Sequence, residues 1–492
     1  MLDRVVVVGA GVVGLSIARV LSALEGLEVV VVEKEADVGW GASKANTGII
    51  HSGYDDDPVK YPNRARLAVK GNRLWTTWAE QLSIPVDWCG SLVLARSSED
   101  RRVLRKLLAR GIRNGVPALR ILDGEEVRAL EPMVSEDVAE ALWSPTAGVL
   151  SPYEATVALA ENCVENGVKI LTETLVKGVR VKDGSVEGVE TSRGFIGARW
   201  VVNAAGLYAD EIARMAGVSD YTITPRRGEY LVFDKDAGPK PSRILFPTPT
   251  PVSKGVVVET TVAGNLMIGP NAVDLPRDAK EETYTTKEGL AYVWREASKL
   301  VKKLPGKREV IRVFSGLRPQ PSGGDFIVRV LEEPEGFVEA AGMRSPGLAA
   351  APAVALEILR LMRLNGLDHG FKKRWKAERR AGLRIMGLSW DMLEKTVSRN
   401  PSYGRVVCWC EGVTEGEVVD AIRRGAKTID GVKFRTRAGM GRCQGAFCRL
   451  RIAAILAREL GKPIWSITVK GTGSELGVGD VKSLLEGEDV AD

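Results

Sequence analysis

The N-terminal residues follow a hydrophobic pattern that predicts a strand, a helix and a second strand. Residues 4–8 form an apolar run after one arginine, which is typical of a parallel strand buried on both faces. A helix is predicted from about Val13 to Ala23, and a second apolar run covers Glu28 to Val32. Together these segments predict a β-α-β unit of about 30 residues.

Farther along, helical and strand-like patterns follow one another. Residues 61–82, 97–115 and 347–365 are predicted helices, and a charged helical segment is predicted over residues 371–398. Residues 168–202 alternate like a small β-meander that ends in a buried strand, and residues 220–330 are strand-rich with proline-containing turns. This order predicts an α/β fold with a discontinuous nucleotide-binding domain, an inserted substrate domain and a separate C-terminal module.

The composition narrows the class of protein without indicating an activity. The 492 residues are 45% hydrophobic with a net charge of +6, and no apolar run reaches the roughly 18 residues that a membrane-spanning helix needs. No signal peptide is recognised, so we expect a cytoplasmic protein, with a peripheral contact to the inner face of the membrane left open. The basic stretch Lys372 to Arg384 is interpreted as a solvated helix face rather than a nucleic-acid site. Glutamine occurs only three times, a bias that resembles thermophilic proteins.

A glycine motif lies between the first strand and the first helix. Gly9, Gly11 and Gly14 form a G-x-G-x-x-G, and Glu33 follows the second strand. In this context the glycines permit a tight turn, close approach of a pyrophosphate to the helix N-terminus and helix–strand packing, while an acid at position 33 accepts hydrogen bonds from ribose. The motif therefore predicts a dinucleotide site. A purely structural glycine turn is the alternative.

Five further segments follow in an order that resembles one enzyme family. They are Gly41 to Gly48, Ile49 to Gly53, Asn203 to Gly206, Gly316 to Pro319 and Gly342 to Gly347. As an ordered set, spanning about residues 4–365, they resemble the FAD-dependent amine and hydroxy-acid oxidoreductases typified by D-amino-acid oxidase, glycine oxidase and glycerol-3-phosphate dehydrogenase. The resemblance implies a Rossmann-like FAD-binding domain with an inserted, mainly antiparallel β-sheet substrate domain.

The resemblance also implies which residues hold FAD. The first glycine loop and the acid hold the ADP half, the segment from Ser43 to His51 runs along the ribityl chain and flavin, and the last segment closes over the ring at a helix N-terminus. The implied FAD-binding residues are Gly9, Gly11, Val13, Gly14, Glu33, Lys34, Ala42, Ser43, Asn46, Thr47, Ile49, Val176, Ala205, Gly206, Met343, Arg344, Ser345, Gly347 and Leu348.

Three residues are candidates for substrate chemistry. His51 lies in the flavin-lining segment and is interpreted as a base or substrate ligand, with simple packing against the flavin as the alternative. Arg318 and Arg344 lie where the resemblance places groups that face the flavin, and arginine suits capture of a carboxylate or phosphate. A structural or surface role is the alternative for both. Arg226 and Arg227 are weaker candidates.

Four of the six cysteines are clustered near the C-terminus. Cys408 and Cys410 form a C-x-C, and Cys443 and Cys448 form a C-x4-C. Four thiolates predict an iron–sulfur cluster or a structural zinc ion. Thr414 and Glu417 predict a capping box that opens a helix, and Cys448 is predicted near the start of the next helix.

The surrounding sequence, over about residues 403–460, resembles the domain named after bacterioferritin-associated ferredoxin, which holds a [2Fe-2S] cluster with four thiolates. The resemblance implies an FAD-binding domain made of residues 1–80, 145–218 and 310–365, and a substrate domain made of residues 81–144 and 219–309. A helical linker is expected over residues 366–402, the [2Fe-2S] domain over residues 403–460 and a C-terminal tail over residues 461–492.

The combination of the two domains resembles the catalytic subunits of anaerobic glycerol-3-phosphate dehydrogenases. It implies oxidation of sn-glycerol 3-phosphate, with electrons passed through the cluster to a protein subunit, either a second flavoprotein or a quinone-linked protein. We also expect an oligomer. Two alternatives remain: a dye-linked dehydrogenase of proline, sarcosine or 2-hydroxyglutarate, and a non-catalytic electron-transfer subunit.

Overall fold

The computed structural model describes residues 3–250 and 253–482. The chain divides into two compact units, residues 1–34 with 38–379 and residues 35–37 with 380–492. No helix among the described residues is long and apolar enough to cross a bilayer.

In chain order the strands are β1 (Arg4–Val8), β2 (Glu28–Val32), β3 (Ile49–Ile50), β4 (Val86–Asp87), β5 (Ser91–Ala95), β6 (Arg120–Asp123), β7 (Glu140–Ser144), β8 (Gly148–Leu150), β9 (Lys169–Leu171), β10 (Val176–Lys182), β11 (Ser185–Thr191), β12 (Gly194–Gly197), β13 (Trp200–Asn203), β14 (Ile223–Phe233), β15 (Ile244–Pro247), β16 (Val257–Thr260), β17 (Leu266–Gly269), β18 (Val273–Asp274), β19 (Val310–Pro321), β20 (Ile327–Val330), β21 (Phe337–Ala341), β22 (Val406–Cys408) and β23 (Val413–Thr414). The helices are α1 (Val12–Leu21), α2 (Pro62–Gln81), α3 (Ser98–Arg113), α4 (Gly124–Leu130), α5 (Pro152–Glu165), α6 (Ala209–Met215), α7 (Lys287–Ala297), α8 (Gly347–Leu364), α9 (Trp390–Arg399), α10 (Glu415–Arg423), α11 (Ile429–Thr436) and α12 (Arg449–Leu460).

The first unit contains a sheet in the order β20-β21-β13-β1-β2-β9, in which every pair except β20–β21 is parallel. Alternate residues of β1 face opposite sides: Val5 and Val7 pack with α1, α5 and α8, whereas Val6 and Val8 pack with β10, β11 and α6. Both faces of the sheet are therefore covered, which explains the continuous apolar runs of β1 and β2. The sequence prediction of a Rossmann-like α/β fold is confirmed.

A second, larger sheet of the same unit is mostly antiparallel and runs β18-β14-β17-β16-β15-β5-β7-β6, with β19 paired along β14. One face packs against α7 in a core that includes Leu231 and Val258. The other face contributes Val93, Phe246 and Val257 to a cluster with Tyr54, which lies close to His51. The β19 strand lies at the start of residues 310–365, the last segment of the predicted FAD-binding domain, yet it pairs in this second sheet. The predicted domain boundaries remain predictions.

The charged helix predicted over residues 371–398 is wrong for most of its length, because only α9 is helical there. Residues 372–388 have no helix, so the basic stretch is not a helix face. The backbone N–H of Lys376 instead donates to Asn166 Oδ1 (2.9 Å), and that of Arg379 donates to the Gln81 carbonyl (2.8 Å). Closely spaced like charges weaken a helix, and these contacts satisfy the backbone without one.

The second unit is a small helical domain. The α10, α11 and α12 helices pack around a core that includes Val418, Val432 and Leu456. The predicted capping box is present, because the Thr414 side chain accepts from the Glu417 backbone and the Glu417 side chain accepts from the Thr414 backbone. Cys448 is the N-cap residue of α12, as predicted.

Candidate active site and cluster site

The glycine motif forms a tight turn between β1 and α1. Gly9 has a φ of 105°, and a Cβ on Gly14 would lie 2.0 Å from the Gly9 carbonyl oxygen, so neither position accepts a side chain. The α1 helix begins without an acidic residue in its first turn. Its N-terminus therefore offers backbone N–H groups and positive helix-dipole charge to a pyrophosphate.

The carboxyl ends of three neighbouring parallel strands bring the predicted ADP-binding residues to one edge. Gly9 follows β1, Glu33 follows β2, and Ala205 follows β13. Glu33 Oε2 accepts a hydrogen bond from the Ala10 N–H (2.8 Å), which fixes the carboxylate beside the glycine turn. Lys34 instead pairs with Glu281 (Nζ–Oε1, 2.8 Å) and lies over the Tyr208 ring.

The predicted flavin-lining loop is held rigidly by its own polar groups. Asn46 Nδ2 donates to the carbonyls of Ala42 (3.1 Å) and Ser43 (3.0 Å), and Asn46 Oδ1 accepts from the Gly48 N–H (2.9 Å). Ser43 Oγ accepts from the Val12 N–H (2.9 Å), which ties the loop to the start of α1. The loop continues through Thr47 into β3, where Ile49 and Ile50 pair with β8.

Strand β19 and the start of α8 border this loop. Gly316 lies so close that a Cβ would be 1.9 Å from the Ala45 carbonyl oxygen. Gly342, with a φ of 67°, turns the chain from β21 towards α8, whose first turn has no acidic residue. Trp75 Nε1 donates to the Leu348 carbonyl (3.0 Å), which fixes the start of this helix. The remaining predicted residues lie on these same segments, except Val176, which begins β10 and is buried.

His51 is buried and uncharged. Its Nδ1 accepts a hydrogen bond from the Gly53 N–H (3.0 Å), so the proton of the neutral ring is on Nε2. Nε2 lies 3.7 Å from Asp55 Oδ1, and neither atom has a hydrogen bond to another described residue. Burial and the Lys254 ammonium lower the pKa of His51 to about 4, against the opposing effect of Asp55. The ring is therefore a neutral hydrogen-bond donor at pH 7.

Three cations near His51 or Arg344 are matched by carboxylates. Lys254 Nζ pairs with Asp55 Oδ2 (2.7 Å), Arg64 pairs with Asp56, and Arg226 pairs with Asp274 (Nε–Oδ1, 2.5 Å). Burial opposes ionisation of Asp55, but Lys254 and His51 hold its pKa below the ordinary range. Burial and the neighbouring Asp55 raise the pKa of Asp56 to about 6.

Two further cations have no carboxylate partner among the described residues. Arg318 donates only to backbone carbonyls, the shortest contact being to Asn271 (2.6 Å). Arg344 makes no side-chain hydrogen bond or ion pair in the part of the chain that the structure describes. Burial, followed by Arg64 and Arg226, lowers the pKa of Arg344 to about 10, and burial also lowers the pKa of Arg318. Guanidinium groups nevertheless stay charged in proteins at pH 7. The site thus holds two uncompensated positive charges.

The sequence prediction missed Lys254, Asp55, Asp56 and Arg64 at this site. The three consecutive aspartates that begin at Asp55, so soon after His51, were a signal that could have found two of them. Lys254 gave no signal, because it comes from a loop of the large sheet almost 200 positions away, and only the fold brings it to Asp55.

The four clustered cysteines form two pairs within the second unit. The Cys410 and Cys443 sulfurs lie 3.5 Å apart, and the Cys448 thiol donates to the sulfur of Cys408. That hydrogen bond, with backbone N–H groups, lowers the pKa of Cys408 to about 6. No group of three or more His, Cys, Asp or Glu side chains among residues 3–250 and 253–482 is placed to hold a single metal ion. Two pairs suit a cluster with two irons, each held by two thiolates, better than one zinc ion.

Small residues leave room beside the sulfurs. A Cβ on Gly441 would lie 2.3 Å from Cys410 Cβ, and Gly439 and Gly445 have φ values of 91° and 89°. Arg437 Nε donates to the nearly buried Glu411 carboxylate (2.9 Å), which joins the two cysteine segments. The thiolate set, the glycines and the backbone donors fit a [2Fe-2S] cluster, as the glycine turn and adjoining loop fit FAD.

Comparison with known proteins supports both predicted cofactors. Residues 4–361 match the FAD dependent oxidoreductase family, and residues 406–458 match the BFD-like [2Fe-2S] binding domain. The chain is 41% identical to glycerol 3-phosphate dehydrogenase of Caloramator mitchellensis, covering 98% of this chain and 99% of the relative. It is 29% identical to anaerobic glycerol-3-phosphate dehydrogenase subunit A1 of Haloferax volcanii, covering 92% and 83%.

The fold also resembles the solved structure of a reduced L-alpha-glycerophosphate oxidase from Mycoplasma pneumoniae with FAD bound. The TM-score is 0.72 at 31% identity, and the match covers 77% of this chain and 99% of that one. FAD and a [2Fe-2S] cluster are therefore the cofactors of this protein. The chain is an enzyme that belongs to the family of FAD-dependent oxidoreductases.

Proposed function

We propose that the protein is a dehydrogenase of sn-glycerol 3-phosphate that forms dihydroxyacetone phosphate and passes electrons through its cluster to a protein or quinone acceptor. The observation that carries the substrate assignment is the pair of uncompensated guanidinium groups, Arg318 and Arg344. A phosphate monoester carries close to two negative charges at pH 7. The names of relatives that match this chain at both domains support the same substrate.

The two arginines bind the phosphate group in this proposal. Guanidinium groups hold phosphate oxygens through paired hydrogen bonds, and a desolvated cation interacts with an anion more strongly than an exposed one. Arg344 has its donors available, while the carbonyl contacts of Arg318 fix the direction of its side chain. An amino acid with one carboxylate would leave one positive charge unbalanced.

His51 holds the hydroxyl oxygen on C2, the carbon that is oxidised to the ketone by loss of a hydride. Because Nδ1 accepts from Gly53, Nε2 carries the proton and donates to the C2 oxygen of the substrate, which stabilises negative charge developing on that oxygen. The hydroxyl proton passes to Asp55 Oδ1, a buried oxygen that Lys254 keeps in the carboxylate form. FAD, when bound, supplies the hydride acceptor and the cluster supplies one-electron transfer.

The alternative substrates are tested by anaerobic bleaching of the flavin. Enzyme is mixed with glycerol 3-phosphate, 2-hydroxyglutarate, proline or sarcosine, and dihydroxyacetone phosphate is measured in the first mixture. Rapid bleaching by glycerol 3-phosphate with stoichiometric product is expected. If only a compound other than glycerol 3-phosphate bleaches the flavin, the assignment of glycerol 3-phosphate as the substrate is rejected. If none of the four compounds bleaches the flavin, the result favours a non-catalytic electron-transfer subunit.

The assigned roles are tested by His51→Asn and Asp55→Asn. Both variants should retain FAD and lose most of the bleaching rate by glycerol 3-phosphate, by about 100-fold or more. The control is His369→Asn, which changes the other histidine, a partner of Asp3. A His51→Asn enzyme that bleaches at the normal rate would exclude His51 from the reaction.

A further inference from the structure

Large apolar side chains are exposed beside the cluster cysteines. Trp409, between Cys408 and Cys410, is 74% exposed, and Phe447, next to Cys448, is 76% exposed. Leu450, in the first turn of α12, is 68% exposed. Three such residues within two positions of a metal-ligating cysteine are unusual, because side chains of this size are normally buried, and clustered exposure marks contact with another molecule.

These side chains belong to one region of the second unit. The Cys410 and Cys443 sulfurs are 3.5 Å apart, and Gly441 packs directly on Cys410. The Phe447 backbone N–H donates to the Cys443 sulfur. The segment that carries Trp409 is thus held against the segment that carries Phe447, and both aromatic residues are sequence neighbours of clustered cysteines.

The same region is rimmed by positive charge. Arg442, Arg449 and Arg451 are exposed, and the side chains of Arg449 and Arg451 make no hydrogen bond or ion pair within residues 3–250 and 253–482. The nearby acids are already matched, Glu411 by Arg437 and Glu415 by Arg405 and Arg458. The cysteine face is defined by its apolar centre and basic rim: Trp409, Phe447, Leu450, Arg442, Arg449 and Arg451.

We propose that the cysteine face is the docking surface for an electron-accepting protein whose own redox group is surrounded by acidic side chains. The inference rests on the proposed function, which requires an acceptor. An apolar centre within a charged rim is the usual composition of such an interface, and complementary charge speeds the encounter. Cys410 is itself exposed, so a partner seated here approaches a cluster ligand directly. Each substrate oxidation releases two electrons, which reduce two one-electron acceptors.

The test uses two soluble haem proteins of opposite charge, acidic cytochrome b5 and basic cytochrome c. The full-length holoenzyme is reduced photochemically without substrate, and the rate constant for reduction of each cytochrome is measured by stopped flow. Trp409→Ser with Phe447→Ser removes the apolar centre, and Arg449→Glu with Arg451→Glu reverses the rim. Trp390→Ser and Arg423→Glu are matched controls, because Trp390 is 84% exposed and Arg423 is exposed on α10.

The charge-reversed variant should reduce cytochrome b5 at least about tenfold more slowly than wild type at low salt, and cytochrome c faster. High salt should shrink both differences through screening. The serine variant should be slower with cytochrome b5 at every salt concentration, while both controls remain like wild type. Iron content and the rate of internal transfer from flavin to cluster should be unchanged in all variants.

Equal rates in wild type and variants, or equal losses in the controls, would overturn the docking surface. A slower internal transfer in the serine variant would also overturn it, because the aromatics would then serve transfer within the chain. Photoreduction makes the result independent of the substrate. Failure of glycerol 3-phosphate to bleach the flavin would reject the proposed substrate and leave the cytochrome result standing.

Discussion

At the scale of single residues, burial and one backbone hydrogen bond fix the protonation state of His51 and the ring nitrogen that carries its proton. The Gly53 N–H occupies Nδ1, and burial with Lys254 lowers the pKa of the ring to about 4. The ring is neutral throughout the physiological range, and its only proton points towards Asp55. In the proposed reaction His51 donates a hydrogen bond to the substrate, and the negative charge needed for proton removal resides on the neighbouring carboxylate of Asp55.

The depressed pKa of His51 makes stability depend on pH in a defined direction. The unfolded chain binds a proton at His51 near the ordinary pKa of about 6.5, whereas the folded chain does so only near 4. Between these values the unfolded state holds more protons, so this contribution to stability is lost as the pH falls from about 6.5 to 4, by on the order of 3 kcal/mol. Urea unfolding at pH 7 and pH 5 should show a smaller loss for His51→Asn than for wild type. Equal losses would contradict the assigned pKa.

Removing the charge of Arg344 is expected to increase the stability of the folded protein and to decrease its affinity for the substrate. Arg344 is a largely desolvated cation without a carboxylate partner, so Arg344→Met should raise the melting temperature slightly while raising the KM for glycerol 3-phosphate by about 100-fold or more. Arg344→Lys should restore part of the affinity, because it keeps the charge but loses the paired donors. The control is Arg66→Met, which changes an exposed arginine paired with Glu357. An unchanged KM in Arg344→Met would place the anion elsewhere.

Sequence could predict residues whose role depends on a local motif. Gly9, Gly14 and the clustered cysteines are recognisable because their neighbours along the chain define the chemistry. Lys254 and Arg64 are not recognisable, because their roles come from pairing with Asp55 and Asp56 in the folded chain. The partners of Arg318, which are backbone carbonyls, are likewise set by strand pairing.

At the scale of elements, the β1–α1 turn depends on the absence of two side chains. A Cβ on Gly14 would meet the Gly9 carbonyl oxygen at 2.0 Å, and a Cβ on Gly9 would meet the Ala204 carbonyl oxygen at 2.5 Å. Both contacts are with backbone, which cannot rotate away. The turn is thus a close junction of β1, α1 and the end of β13, and the predicted pyrophosphate site depends on that junction.

Gly14→Ala should therefore abolish FAD binding. The added methyl group pushes α1 away from β1 and moves the N–H groups that face the pyrophosphate. Gly306→Ala is the matched control, because Gly306 lies outside the predicted FAD-binding residues, has a φ of −62° and has nothing within 4 Å of its Cβ position. The ratio of flavin to protein absorbance, with circular dichroism for folding, measures the effect. A Gly14→Ala protein with full flavin content would contradict the close junction.

Elements were predictable where one periodicity persisted over the whole segment. The α2, α3 and α8 helices and the parallel strands agree with the sequence pattern because each buries one consistent set of side chains. The α7 helix lies within residues predicted as strand-rich and was missed. For residues 372–388 the error is the opposite one, because a helix was predicted where the structure has none. Backbone contacts to Asn166 and Gln81 replace helical hydrogen bonds there.

At the scale of the whole molecule, the chain separates two chemical tasks into two compact units. The proposed flavin and substrate site with His51, Arg318 and Arg344 lies in the first unit, and the four clustered cysteines lie in the second. Each unit has its own hydrophobic core. Reduction of flavin by substrate should therefore not require the cluster, whereas delivery of electrons to a protein acceptor should require it.

Cys443→Ser tests this separation. Serine is a poor ligand for iron, so the variant should lose its iron and its visible iron–sulfur absorbance. It should keep FAD and bleach with glycerol 3-phosphate at the wild-type rate, because no residue of the substrate site is changed. Turnover with a protein acceptor should fall by about 100-fold, since the flavin then has no one-electron route out of the enzyme. Cys89→Ala is the control, because Cys89 is a buried cysteine of the first unit and should retain iron and turnover. A cluster-free enzyme that still reduced protein acceptors at full rate would show that electrons leave directly from the flavin.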